Sequence, residues 1–181
     1  MSLKHPLLAL MALTSGLVLA DDQPVTLLDM ESQVPATWVV QEPSSGMRLA
    51  QFAVPGVDGG EAAELVVYYF GPGQGGTLDA NVERWASQFS GPDGAVEPEI
   101  TELDGAFPAT LVELSGSYAR GVGMGPTGDA QADRTLLAAL VETPEGTLFP
   151  QLHGPADLVA AQRDGFVTFV EGLRPSGEPA P

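Results

Sequence analysis

The chain has no cysteine, and that absence removes several kinds of chemistry at once. No disulfide can staple it, no thiolate can act as nucleophile or metal ligand, and no cysteine near the amino terminus can carry a lipid. Lysine is nearly as scarce. Lys4 is the only one, so no lysine is available after the first residues to complete a phosphate-binding P-loop. Lysine and arginine together number 7 against 24 acidic residues, and the formal net charge is −17. A surface of that sign repels nucleic acid and anionic lipid alike. The acids are dispersed along the chain, the pattern of a solvated surface rather than of a binding tail. Histidine is limited to His5 and His153, too few for a typical zinc or copper site. Past residue 20 there is no apolar run long enough to cross a bilayer as a helix.

What is present begins with an address. Lys4 precedes an apolar run over residues 6–19 that is too short to span a membrane. Val18, Leu19 and Ala20 then stand before the acidic pair Asp21 and Asp22. This is the pattern of a secretory signal cut after Ala20. It predicts a periplasmic or secreted protein without a transmembrane segment after cleavage. One α+β domain is expected over 21–174, followed by a disordered tail over 175–181.

Residues 21–36 read as an extended lead-in, because Pro24 and Pro35 discourage helix. Strands are predicted over 37–41 and 47–54, with turn residues between them. The strongest strand is 64–70. Leu65, Val67 and Tyr69 fall on one face, and Val66, Tyr68 and Phe70 on the other, so it needs cover on both sides. After a glycine-rich break, Leu78, Val82, Trp85 and Phe89 recur at helical spacing and predict an amphipathic helix over 78–90, capped by Thr77. Strands follow over 99–103 and 107–118. The long glycine-rich connection 119–134 leads to a second two-faced strand, 135–141, and then to 147–152. Pro155 suits the start of a closing helix whose inner stripe is Val159, Gln162, Phe166, Phe169, Val170 and Leu173, with Gly165 a weak spot. The expected fold is therefore a largely antiparallel sheet of about six to seven strands sandwiched between two helices.

Gly71-x-Gly73-x-x-Gly76 matches a dinucleotide fingerprint in form, since it follows a strand and opens a helix. The surrounding hairpins argue for an ordinary turn, and no cofactor is expected. His153 is a possible general base, although a strand-end histidine bonded to a carbonyl is the better account. No Gly-x-Ser-x-Gly elbow is present. The acidic run of Glu97, Glu99, Glu102 and Asp104, with Asp129 and Asp133 near the long loop, lacks the order of an EF-hand, and no metal site is assigned.

The segments Met47-Arg48-Leu49-Ala50-Gln51-Phe52, Tyr69-Phe70-Gly71-x-Gly73-x-Gly75-Gly76, Asn81-x-x-Arg84-Trp85-x-x-Gln88-Phe89 and Val141-Glu142-Thr143-Pro144-Glu145-Gly146 resemble a family of small exported bacterial proteins of unassigned function. The order of strands and helices is similar to the PsbP-like and DcrB-like fold. That resemblance implies an accessory, assembly or binding role, and it supplies no catalytic motif. The expected function is thus a non-catalytic binding or accessory protein of the cell envelope, with an envelope protein or a small ligand as partner. The surface candidates are Arg48, Gly73, Asn81, Arg84, Arg120 and Arg134, around the glycine turn, the first helix and the long loop. A hydrolase using His153 or a carboxylate pair is one alternative, and a calcium-responsive acidic module is another.

Overall fold

The structure is a computed structural model and describes residues 22–119 and 129–177. It opens with β1 (Gln23–Leu27), β2 (Met30–Val34), β3 (Val39–Gln41), β4 (Arg48–Val54) and β5 (Ala63–Tyr69). Helix α1 (Leu78–Ala86) comes next, then β6 (Phe89–Ser90), β7 (Glu99–Leu103) and β8 (Ala109–Tyr118). The chain continues through β9 (Gln131–Thr143), β10 (Gly146–Pro155), α2 (Ala156–Glu171) and β11 (Arg174–Pro175).

The main sheet runs β3-β4-β5-β10-β9-β8-β6, with β7 also paired to β8, and every pairing is antiparallel. It has eight strands, where the sequence pattern predicts six to seven. The additional strand is β6. Phe89 belongs by spacing to the stripe of α1, but the helix ends at Ser87 and Phe89 pairs with Tyr118 instead. It reaches the same core from a strand rather than from a helix. The lead-in also holds more structure than proline content suggests. β1 and β2 form a hairpin that β11 completes into a separate three-stranded sheet, with Arg174 opposite Glu31 and Pro175 opposite Met30. Pro24 is tolerated because β1 is an edge strand.

Two-faced strands produce two cores. On one face Leu65, Val67, Leu137, Ala139, Leu148 and Leu152 meet Val159, Phe166, Phe169 and Val170 of α2, and Leu27, Met30 and Val34 of the small sheet join them. Ser32 ties the small sheet to α2 by donating to the carbonyl of Phe169 at 2.6 Å. Gln162 lies on the predicted stripe for a polar reason, since it accepts from the Trp38 indole at 2.8 Å. Gly165 is not a weak spot here. A Cβ at that position would come within 2.8 Å of Pro35, so glycine is what lets α2 close on the chain below it. On the other face Val112, Leu114, Leu136, Ala138, Leu140 and Phe149 pack under Trp85 and Phe89. At the turn before α1, Gly75 has φ +100, and a Cβ there would meet the Phe149 ring at 2.4 Å. Among the described residues no helix is long and apolar enough to cross a membrane.

The turn between β9 and β10 meets the turn between β1 and β2. There Glu145 faces Asp29, and its carboxyl is pushed above the usual carboxylate range. The hydrogen bond to Asp29 is the main cause, followed by desolvation and then by the charge of Asp29. A carboxyl that holds its proton more tightly when folded stabilises the fold in acid, and that contribution is lost as pH rises through its folded value. Replacing Glu145 by Gln keeps a donor for Asp29 without the ionisation. Glu145→Gln should therefore be more stable than the parent at pH 7, with the gap closing below the ordinary carboxylate range. Urea midpoints at the two pH values check this.

Candidate functional site

The two faces of the main sheet are not covered equally. The α2 face carries a helix of 16 residues and a second sheet, whereas α1 has 9 residues and lies toward the β8–β9–β10 side. Beside α1, among the described residues, the sheet surface forms a hollow of about 70 Å³. Its lining is Glu64, Val66 and Tyr68 from β5, Gln151 and His153 from β10, Leu136 from β9, Tyr118 from β8, and Gln88 just after α1.

Strand register explains why these residues meet. His153 stands directly opposite Glu64 on one side and Leu136 on the other, and Gln151 stands opposite Val66 and Ala138. Side chains opposite one another on neighbouring strands share a face and lie within about 5.5 Å at Cβ. Val66 and Leu136 give the hollow an apolar floor. The Tyr118 and His153 rings stand 4.1 Å apart at 48°, with Phe89 behind His153 at 6.4 Å, and make one wall.

The opposite wall is a polar network. Arg48 donates to Gln51 Oε1 at 3.0 Å and to Glu64 Oε1 at 3.2 Å. Gln51 donates to the same Glu64 oxygen at 2.8 Å and to Gln41 at 3.2 Å. The Arg48 guanidinium also lies 5.5 Å from the centre of the Tyr68 ring, in cation–π range. Glu64 is thus anchored through one oxygen, while among the described residues its Oε2 accepts no hydrogen bond. The side-chain amides of Gln88 and Gln151 likewise make no hydrogen bond among the described residues. Gln151 sits on a central strand between buried neighbours, and its half-buried amide opens into the hollow.

The sequence-predicted candidates separate. Arg48 belongs to the hollow's supporting network, its side chain 13% exposed. Gly73 is an exposed turn residue at φ +67 and does not line the hollow. Asn81 is not a surface residue. It is fully buried and donates to the carbonyls of Gly75 and Thr77, so it holds the glycine turn against α1. Arg84 donates to Asn81 and lies over the Trp85 ring, and burial lowers its pKa. Arg134 is also buried rather than on the surface, and pairs with Glu61 at 2.7 Å. Arg120, and the loop residues 120–128 generally, lie outside the described residues. His153 enters the hollow without the serine or cysteine partner that nucleophilic hydrolysis uses, since neither type lines it. The glycine fingerprint does not sit in a βαβ unit, because β5 is antiparallel to both its neighbours. No three acidic or histidine side chains converge among the described residues.

Glu64, Gln88, Gln151 and Tyr118 escape sequence reasoning because they are spread over distant segments, and the resemblance motif that contains Gln88 assigns it no role. The one available signal is polarity inside a two-faced pattern: Gln151 interrupts the apolar alternation of its strand.

The network carries a prediction. Arg48→Met should cost about 1–2 kcal/mol, because it leaves Glu64 and Gln51 without their charge-assisted donor. Glu64→Gln in the same background should recover part of that loss, a coupling of about 0.5–1 kcal/mol given that Glu64 is partly exposed. A double-mutant cycle by urea unfolding measures it, and strict additivity would show the network to be incidental.

No protein-family model matches the chain, and no curated protein matches its sequence. Among solved structures, cyanobacterial PsbP (CyanoP) from Synechocystis sp. PCC 6803 is similar with a TM-score of 0.52 at 14% identity, over 88% of this chain and 95% of that one. A protein of unknown function from Pseudomonas aeruginosa, PA94, described as a putative regulator, gives a TM-score of 0.47 at 15% identity, over 88% and 98%. LpqN of Mycobacterium tuberculosis, described as involved in cell envelope biogenesis, gives 0.49 at 18% identity, over 84% and 89%. The likeness to the cyanobacterial protein covers nearly all of both chains, and this chain has the PsbP-like fold.

Proposed function

We propose that the chain is exported and acts as a non-catalytic binding or accessory protein of the cell envelope, with the hollow beside α1 as its ligand site. The observation that carries this reading is Gln151. Its amide is held on a central strand, at the floor of a concavity, with no hydrogen-bond partner among the described residues. A concave surface with a few convergent polar groups over an apolar floor is the form that small-molecule sites take. The Glu64 oxygen and the Gln88 amide add two more unused groups around the same space. Export rests on the leader-like pattern of residues 1–20.

A hydrolase reading has one observation in its favour, the cross-strand pairing of His153 with Glu64. It is the weaker reading, because Glu64 is already engaged by Arg48 and Gln51 and no serine or cysteine lines the hollow. The test is native mass spectrometry of the protein purified from its own cells. The parent should carry a bound small molecule, and Gln151→Trp, which fills the hollow, should lose it while keeping the same melting temperature within a few degrees. A parent without adduct, or a variant that retains it, would overturn the site. Turnover of the released molecule by the parent would favour the hydrolase.

A further inference from the structure

We infer that the hollow takes an uncharged, polyhydroxylated ligand, a sugar unit. The inference rests on the hollow being a binding site and adds the class of molecule that fits it.

Charge is the first argument. The chain carries −17 overall, yet the hollow's lining contains a single carboxylate, Glu64, and that charge is matched by Arg48 at 3.2 Å. An anion would have to enter against the field of the whole protein with only an arginine already spent on Glu64 and Tyr68. A cation would find its one carboxylate neutralised. The hollow is a locally neutral place on a strongly acidic molecule, which selects against ions of either sign.

The second argument is the kind of hydrogen-bonding groups present. Each carboxamide of Gln88 and Gln151 offers both donors and an acceptor, and Glu64 Oε2 adds an acceptor. A hydroxyl group is itself both donor and acceptor, so a ring bearing several of them can satisfy all three groups at once. The Tyr118–His153 wall and the Val66 and Leu136 floor supply apolar surface for the C–H face of such a ring. Aromatic walls with planar amides between them suit a ligand that is apolar on its faces and polar around its rim.

A peptide meets this description less well. Peptides gain affinity chiefly by pairing their backbone with a free strand edge. The strands that floor the hollow, β5, β10 and β9, are interior to the sheet and have both edges paired.

The experiment is an NMR titration of the full described domain without its leader, following the side-chain amides of Gln88 and Gln151. The probes are maltose and N,N′-diacetylchitobiose, with spermidine and citrate as charged controls and a tri-alanine peptide blocked at both ends. A neutral disaccharide should shift both amides saturably at millimolar concentration. Gln151→Leu should weaken that binding at least tenfold, and Gln151→Asn, which keeps the amide, should weaken it less. Shifts produced by spermidine, citrate or the peptide but by neither disaccharide would overturn the sugar assignment while leaving the site intact. No response to any probe would overturn the assignment as well, and the native mass measurement then decides separately whether the hollow binds anything.

Discussion

The constraint on which the rest of the structure depends is that β5 and β9 are apolar on both faces. Such strands can only lie inside a sheet that is covered on both sides. The chain meets that requirement with two helices of different length. α2 and the small sheet close one face, and Phe166, Phe169 and Val170 are almost completely buried there. α1 is too short to do the same on the other. Trp85 and Phe89 bury the middle of that face, and the strip over β5 and the far end of β10 is left as a hollow. The site follows from an inequality of cover, and the glycine turn contributes by letting α1 approach. Gly75 touches Phe149, and buried Asn81 binds the turn to the helix, which fixes where α1 ends and where Gln88 is placed.

Electrostatics then shape what the hollow is. Most acids of this chain are dispersed and solvated, but Glu64 is built into a chain of side chains running from Gln41 through Gln51 to Arg48. Holding a carboxylate by one oxygen fixes its direction at little entropic cost on binding and keeps the other oxygen available. Arg48 has a structural task in this arrangement. It neutralises Glu64 and covers Tyr68, and its value to a ligand is that it orients these groups rather than that it offers its own charge.

Much of the fold is legible in the sequence, because it is written in periodicity. The two-faced alternation of residues 64–70 and 135–141, the stripe through Val159, Phe166 and Phe169, and the stops at glycine and proline locate the sheet and both helices. What periodicity misses is pairing between short or proline-bearing segments. β1 and β2 hold only five residues each, and β6 holds two. The site is far less legible. Its residues come from positions 64 to 153, on four strands and the turn after α1, and strand register brings most of them together. Position beside the helix stripe, the signal followed for Asn81 and Arg84, and scarcity of arginine, the signal followed for Arg134, mark residues that here serve packing, a turn and an ion pair. The informative residue type was glutamine, which no motif singles out.

The central claim is that the two faces of the sheet differ in access to solvent. It can be tested directly by solvent paramagnetic relaxation, with a neutral gadolinium chelate added to the protein and the relaxation of individual protons recorded. The account predicts strong enhancement at the Gln151 side-chain amide, with the Leu148 and Leu152 methyls of the same strand protected. Equal protection of Gln151 and Leu152 would mean that the α1 face is closed, and the account would be wrong.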